Sequence, residues 1–481
     1  MRRFAVAWRS EPLVLVLLAI VSPACVASVR TEVDAGSLPS RLPTDSGANM
    51  SDVGPQASND ARTDKSSDPG AATCQNLCKR QMICPGGGDT TVSGIVHAPT
   101  PARLGTADPL YNVLVYVPNA PVAKFSPGVA CQKCERASGS PLVSAITGPD
   151  GKFQLRNVPV GPNVPLVIQV GRWRRQVVIP TVATCADTAL PDELTRLPRN
   201  QREGDIPAIA VATGTYDPFD CTLRKIGIDE AEFTVPTGTG RVNLWSFGGH
   251  DVAGMTTPAA DTLFTSTAEL NKYDLLILPC NDNDNSDPIV QGNLADYANK
   301  GGRIFLTDLS NAWLHDGKAF ESAVTWSPFR MLGNDFTASI DISFPKGMAF
   351  SAWMSGVGAA RPMPGLIPVH DPYGGGSLVQ SVVAPTQRWL YANTRQGAST
   401  VQTFTFNTPI GVPDAMQCGR VVFSQFHVAS EANANNSLTP GTFPTSCVDK
   451  PMTPQEKSLE FMLFDLSSCI QPDTAVPVVV F

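Results

Sequence analysis

Surplus positive charge is absent from this chain: 36 Lys and Arg stand against 43 Asp and Glu, a formal net charge of −7. Phosphate backbones are bound chiefly through clustered cations, so this balance argues against a nucleic-acid surface. Beyond the N-terminus no apolar run reaches the length of a membrane span, so no internal span is expected. Charged residues make up only 16% of the 481, a low share for a globular chain. No strong catalytic signature is present. What the chain has in quantity is proline (42), glycine (39) and 42% hydrophobic residues, which favour turns, short strands and linkers around ample cores. The length suggests two or three domains.

The N-terminus reads as a targeting segment. Arg2, Arg3 and Arg9 precede the apolar stretch 13–21, and Ser22 and Ala24 stand at −3 and −1 before Cys25. This resembles a bacterial lipobox, which implies a signal peptide over 1–24 and lipidation of Cys25; simple secretion is the alternative. Residues 25–72 are rich in Ser, Asp, Gly, Pro and Ala, cannot bury a core and are expected to be a disordered tether. The expected location is the outer membrane or cell surface through a lipid anchor, with a periplasmic or secreted chain as the other option. The cysteines agree with export. Besides Cys25 there are Cys74, Cys78, Cys84, Cys131, Cys134, Cys185, Cys221, Cys280, Cys418, Cys447 and Cys469, enough for five bridges with one left over. Their pairing is open. Cys131-Gln-Lys-Cys134 could be a redox or zinc half-site, but it lacks a thioredoxin setting and structural disulfides are the simpler reading.

Cys74-x3-Cys78-x5-Cys84, running into Pro85-Gly86-Gly87-Gly88, predicts a small stapled turn over 73–88. Over 89–203 short alternating strands separated by Pro, Gly and Asn turns predict an antiparallel β-sandwich. Within it lies Thr147-Gly-Pro-Asp150-Gly151-Lys-Phe153-Gln-Leu155-Arg-Asn-Val158-Pro159-Val-Gly161. Asp150-Gly151 is expected to make a hairpin turn, with Phe153 and Leu155 facing the core. This motif resembles the carboxypeptidase regulatory-like (transthyretin/CnaB-like) domain over about 90–180. The resemblance implies a non-catalytic spacer, stability module or ligand-binding appendage, with 120–141 as a loop insertion. Arg172, Arg174 and Arg175 are expected on an exposed strand face.

From 204 to 472 the pattern becomes α/β. A buried strand at 208–212, a helix opened by Asp217-Pro218 and a strand at 241–245 lead into 273–309. There the apolar runs 275–278 and 304–307 flank a helix over 293–300 that ends at Gly301-Gly302, a βαβ unit and hence a parallel sheet. A later strand covers 421–427, and Thr453-Pro-Gln-Glu456 caps a closing helix. The aromatic-containing segment 316–417 reads as a large β-rich insertion over the carboxyl ends of the strands. The order of elements, with Tyr273-Asp-Leu-Leu-Ile-Leu-Pro279, Gly301-Gly302-Arg303 and Ser424-Gln-Phe-His427, resembles the class I glutamine amidotransferase-like, flavodoxin-like fold. In that family a strand-to-helix elbow carries a cysteine, and a later strand delivers a histidine followed two residues on by glutamate. Here the elbow 306–310 carries Asp308 without cysteine or flanking glycines, and His427 is followed by Ala429. That route to amide hydrolysis is therefore closed. Cys280 follows a different strand and is expected in a disulfide.

Three readings follow. The favoured one is an exported, lipid-anchored envelope protein with a non-catalytic binding or structural role and a saccharide or protein partner. The alternative is an envelope hydrolase built on Asp308, Ser310 and His427 at the strand ends, where α/β sites are made. The third concerns the run Asn281 to Asp287. Asp282, Asp284 and Asp287 could give irregular Ca²⁺ binding, although the run fails as an EF-hand, and a polar loop with a helix cap is the simpler reading. No other cofactor is expected, and His250, His315 and His370 are isolated in sequence.

Overall fold

A computed structural model of the chain describes residues 74–478 other than 136, 215, 282–286, 317 and 428–440. The fold is mixed α/β and mostly sheet. The N-terminal part contributes β1 (Thr91–Ile95), β2 (Leu114–Pro118), β3 (Pro141–Ile146), β4 (Lys152–Leu155), β5 (Gly161–Val170), β6 (Trp173–Val182), β7 (Asp187–Ala189) and β8 (Gly204–Asp205). They form a three-stranded sheet ordered β4-β1-β7 and a five-stranded sheet ordered β3-β2-β5-β6-β8. Phe153 and Leu155 of β4 are buried and alternate with exposed neighbours. Asp150-Gly151 does turn the chain, with Gly151 at φ +70°, but β3 and β4 lie in different sheets. The expected hairpin is thus a corner between sheets.

After β9 (Ile209–Gly214) come helix α1 (Phe219–Ile226), β10 (Phe233–Thr234), β11 (Val242–Phe247), β12 (Asp251–Val252) and β13 (Leu275–Leu278). Helix α2 (Pro288–Asn299), β14 (Arg303–Thr307), β15 (Val324–Ile340), helix α3 (Pro345–Gly356) and β16 (Leu366–Val382) follow. The series closes with β17 (Gln387–Asn393), β18 (Ser399–Thr408), β19 (Gly419–Ser424), β20 (Thr442–Phe443) and helix α4 (Pro454–Ser467). Ten of these strands make one sheet ordered β10-β11-β9-β13-β14-β19-β18-β17-β15-β16. From β10 to β19 every pairing is parallel; from β19 to β16 every pairing is antiparallel. The segment expected as an insertion over the strand ends therefore supplies the antiparallel half of the same sheet.

The parallel strands read as continuous apolar runs because both their faces are covered. In β9 and β13, Ile209, Val211, Leu275 and Ile277 enter one core, whereas Ala210, Ala212, Leu276 and Leu278 enter the other. The first core is covered by Phe219, Leu223 and Ile226 of α1 and Leu459, Met462, Leu463 and Leu466 of α4, and it runs on into Val115, Leu166 and Trp173 of the N-terminal sheets. The second is covered by Val290, Leu294, Ala295 and Ala298 of α2. Helix α4 begins with the expected capping box: Thr453 Oγ1 accepts from the Glu456 amide at 3.2 Å, and Glu456 Oε2 accepts from the Thr453 amide at 2.8 Å. Helix α2 starts at Pro288, earlier than expected, since Asp287 caps it and proline is tolerated at the first helical position.

Five disulfides join Cys74–Cys78, Cys84–Cys185, Cys131–Cys418, Cys134–Cys469 and Cys221–Cys447. Such a set belongs to an extracellular or periplasmic protein. The cysteines of the Cys131-Gln-Lys-Cys134 loop do not meet each other; they pin that loop to the start of β19 and to the residues beyond α4. Cys280, a disulfide candidate in the sequence, is a buried thiol instead. Two expected surface arginines are also buried. Arg172 pairs with Asp274 at 2.9 Å, and Arg174 pairs with Asp205 at 2.8 Å under the Phe125 ring. Among the described residues no helix is long and apolar enough to cross a membrane.

Among the buried acids of helix α4, Glu460 is fully shielded from solvent. Burial, and then the charge of Asp108, hold its carboxyl well above the ordinary range. A carboxyl raised in the folded state contributes stability below its unfolded value and loses it as pH rises through the folded one. Glu460→Gln removes that loss. Its melting temperature should fall less than that of the parent between about pH 5 and about pH 8. Parallel slopes in a thermal melt series would rule out a buried, proton-holding Glu460.

Candidate functional site

Strands β13, β14 and β19 are adjacent and parallel, with Leu278 opposite Leu306 and Thr307 opposite Ser424. The residues that follow each strand therefore emerge at one sheet edge, the carboxyl edge where α/β sites are built. Cys280 comes from β13, Asp308 from β14 and His427 from β19. Asp217 follows β9, and Asp371 reaches in from β16. Gly214 at the end of β9 allows the close approach, since a Cβ there would lie 2.6 Å from the Cys280 carbonyl oxygen.

Asp308 is the pivot. Its φ is +40°, a left-handed conformation that costs a non-glycine residue about 1–3 kcal/mol. The strand stops there and a tight helical turn, Asp308–Asn311, begins. Gln425 Nε2 donates to Asp308 Oδ1 at 2.7 Å, and the Cys280 thiol donates to Oδ2 at 3.3 Å. His427 Nε2 faces the same Oδ2 at 3.4 Å. On its other side His427 Nδ1 lies 3.0 Å from Asp371 Oδ2. Asp217 Oδ2 accepts from the Cys280 amide at 3.2 Å and from the Thr307 hydroxyl. Tyr216 presents its ring edge-on to His427, with 6.4 Å between centroids.

The electrostatics follow from this crowding. Burial raises the Asp308 carboxyl to about 6, with His427 pulling it down and Asp371 pushing it up. Burial alone would lower His427, but Asp371, Asp217 and Asp308 outweigh it and hold the imidazole well above its usual 6.5. At neutral pH the ring is an imidazolium with a carboxylate facing each nitrogen. Such a ring has no lone pair with which to take a proton.

The three residues of the hydrolase reading are therefore split. Asp308 and His427 meet, whereas the buried Ser310 hydroxyl donates to the Pro279 carbonyl at 2.8 Å. Neither Asp308 nor Ser310 caps the short helix Ala312–His315, whose cap residue Asn311 makes no side-chain cap bond. Asp287 is exposed and accepts from the Ile289 amide at 2.8 Å, so it serves as the cap of α2. Asp282 and Asp284 lie outside the described residues, as do Cys25 and Ala429.

Sequence reasoning missed Asp217, Asp371 and Gln425, and misplaced Cys280. Gln425 carried a signal, since it stands two residues before His427, the spacing that puts strand side chains on one face. Asp371 carried none. The other histidines are not isolated either: His250 pairs with Asp220 at 2.6 Å, His315 with Asp316 at 2.7 Å and His370 with Asp335 at 2.7 Å.

No family model matches the chain, and no curated protein matches it. Solved structures do match. PurLQS from Thermotoga maritima aligns over 54% of this chain and 99% of its own, at 11% identity and TM-score 0.27. An Acetivibrio cellulolyticus cohesin–X-dockerin complex aligns over 29% of this chain and 85% of its own, at 13% identity and TM-score 0.16. Gan42B, a GH42 β-galactosidase, aligns over 50% and 31%, at 12% identity and TM-score 0.24. At these scores none of them carries an argument about fold or activity.

The cluster makes a stability prediction. Removing one partner of a buried ion pair leaves an uncompensated charge, so His427→Ala should cost about 3–5 kcal/mol in denaturant unfolding. A loss below about 1 kcal/mol would mean that Asp308 and Asp371 do not depend on the imidazolium.

Proposed function

We propose that the chain is an exported, lipid-anchored envelope protein with a non-catalytic binding or structural role toward a saccharide or protein ligand. The observation that carries the non-catalytic part is His427. It is buried between Asp371 and Asp308 with a carboxylate at each nitrogen, while the hydroxyl of Ser310 is bonded to a backbone carbonyl. A general base and nucleophile so engaged are not poised for hydrolysis. The disulfides support export. The sheet-to-sheet corner at Asp150-Gly151, with Phe153 and Leu155 inward, supports reading the N-terminal sheets as a carboxypeptidase regulatory-like sandwich. The parallel half of the large sheet and the left-handed Asp308 at its elbow support an amidotransferase-like origin for the second unit. In that reading the elbow has kept its backbone and exchanged its nucleophile for an acid.

A specific observation favours the hydrolase reading as runner-up: Asp308 and His427 lie 3.4 Å apart at an elbow with positive φ.

The test uses the mature chain beginning at Cys25, offered to peptidoglycan sacculi and to immobilised glycans in pull-down. Retention on one of these matrices, unaltered by His427→Ala in a folded sample, is expected. An esterase or amidase activity that disappears in the same variant overturns the non-catalytic reading. For the anchor, Cys25→Ser should move the protein from the membrane fraction to the soluble one, and unchanged partitioning contradicts lipidation.

A further inference from the structure

Among the described residues two groups of His, Cys and Asp donors gather closely enough to share an ion. One comprises Asp220, Cys221, His250 and Cys447, but its two sulfurs are spent in the Cys221–Cys447 disulfide. The other comprises Cys280, Asp308 and His427, each buried, with donor atoms all within 4.8 Å of one another. We propose that Cys280, Asp308 and His427 form a zinc-binding site at the carboxyl edge of the parallel sheet. This goes beyond the binding role assigned above and does not depend on it.

The geometry is that of a ligand triangle. Cys280 Sγ stands 3.3 Å, and His427 Nε2 3.4 Å, from the same Asp308 Oδ2. A tetrahedral zinc with bonds of about 2.0–2.3 Å separates its ligand atoms by roughly 3.4–3.6 Å. The imidazole–carboxylate edge is thus already at coordination length, the thiol–carboxylate edge is a few tenths of an ångström short of it, and the third lies within 4.8 Å, so small movements of the thiol and the ring close the triangle. The donor set fits the metal. A thiolate, an imidazole and a carboxylate suit zinc, whereas calcium and magnesium take oxygen ligands. A thiolate and a carboxylate together also match its charge of two.

Each ligand is oriented from behind, as metal ligands characteristically are. Asp371 holds His427 by Nδ1 at 3.0 Å, which directs Nε2 toward the triangle. Gln425 holds the far oxygen of Asp308 at 2.7 Å, which leaves Oδ2 facing it. The Cys280 amide is held by Asp217 and by Thr307 Oγ1, at 3.2 and 2.9 Å. Among the described residues these three supply the donors, and a tetrahedral zinc takes a fourth beyond them. Binding requires the thiol proton and the Nε2 proton of the imidazolium to leave to solvent, so zinc uptake releases protons.

The experiment uses the mature chain with its disulfides intact, stripped with a chelator. Zinc is offered both to the folded protein and during refolding, and the metal content is measured after gel filtration. About one equivalent per chain is expected. Cobalt in place of zinc should give the near-ultraviolet thiolate-to-cobalt band, which reports Cys280 directly. Cys280→Ser should abolish that band. Asp308→Asn, His427→Gln and the positioning variant Asp371→Asn should each weaken zinc binding at least about tenfold, while His250→Ala should not. Absence of bound zinc from both preparations overturns the proposal, and so does a cobalt complex without the thiolate band. Both results come from the parent chain and do not require any variant to fold. Zinc retained undiminished by folded Cys280→Ser overturns it as well.

Discussion

Charge taken out of water, and the need to match it locally, is the constraint on which this structure depends. The parallel sheet is pinned by buried ions at both edges. At its amino edge Arg420, at the start of β19, meets Asp465 of α4 at 2.6 Å and also Asp473, while Lys346 of α3 meets the same two acids at 2.9 and 3.4 Å. Arg303, at the start of β14, donates to the Ser468 carbonyl at 3.0 Å, and burial together with Arg420 lowers it to about 9. At the carboxyl edge the imidazolium of His427 answers Asp308 and Asp371. Buried pairs of this kind add little net stability over apolar residues of the same volume, but breaking one is costly. Losing the contact of α3, α4 or β16 with the strand ends would leave an ion alone in a dry core.

The disulfides act on the same joints from outside. Cys131–Cys418 and Cys134–Cys469 fasten the 131–134 loop of the N-terminal unit beside Arg420 and beyond α4. The amino edge of the sheet, where the charges are most crowded, is thereby closed covalently. Cys84–Cys185 lies wholly within the N-terminal unit, and Cys221–Cys447 ties α1 to the stretch before α4. The core that runs unbroken from Trp173 to Leu466 makes the two units one packing problem, with Trp173 and Phe464 5.8 Å apart.

Legibility in the sequence tracked how local the cause was. The apolar run Leu275–Leu278 is a strand with those bounds, and the capping box at Thr453 and Glu456 forms as read. Each is dictated by residues a few positions apart. The β character of 316–417 was legible, but its continuation of the parallel sheet was not, because β15 and β16 contain Pro328, Pro368, Pro372 and Gly374 to Gly376 and pair through repeated register shifts. Such residues read as loop, yet a strand at a sheet edge tolerates them at bulges. Arg172 and Arg174 looked exposed because their partners Asp274 and Asp205 lie far along the chain. At the candidate site Asp308 and His427 could be found from the strand ends that carry them. Asp371 could not, since only the folding back of β16 brings it 3.0 Å from His427. Counting cysteines showed that one must be left over and could not show that it is Cys280.

What remains is why Asp308 keeps a conformation that disfavours it. A glycine would adopt φ +40° at less cost, and an apolar residue would avoid burying a carboxyl raised to about 6. Local rules are broken together at one strand end and respected around it, a pattern expected where a backbone is held for the sake of its side chain. The turn places Oδ2 against Cys280 and His427 at the same time. The left-handed backbone and the convergence of donors thus coincide at one residue, whose Oδ2 both the Cys280 thiol and the His427 ring face.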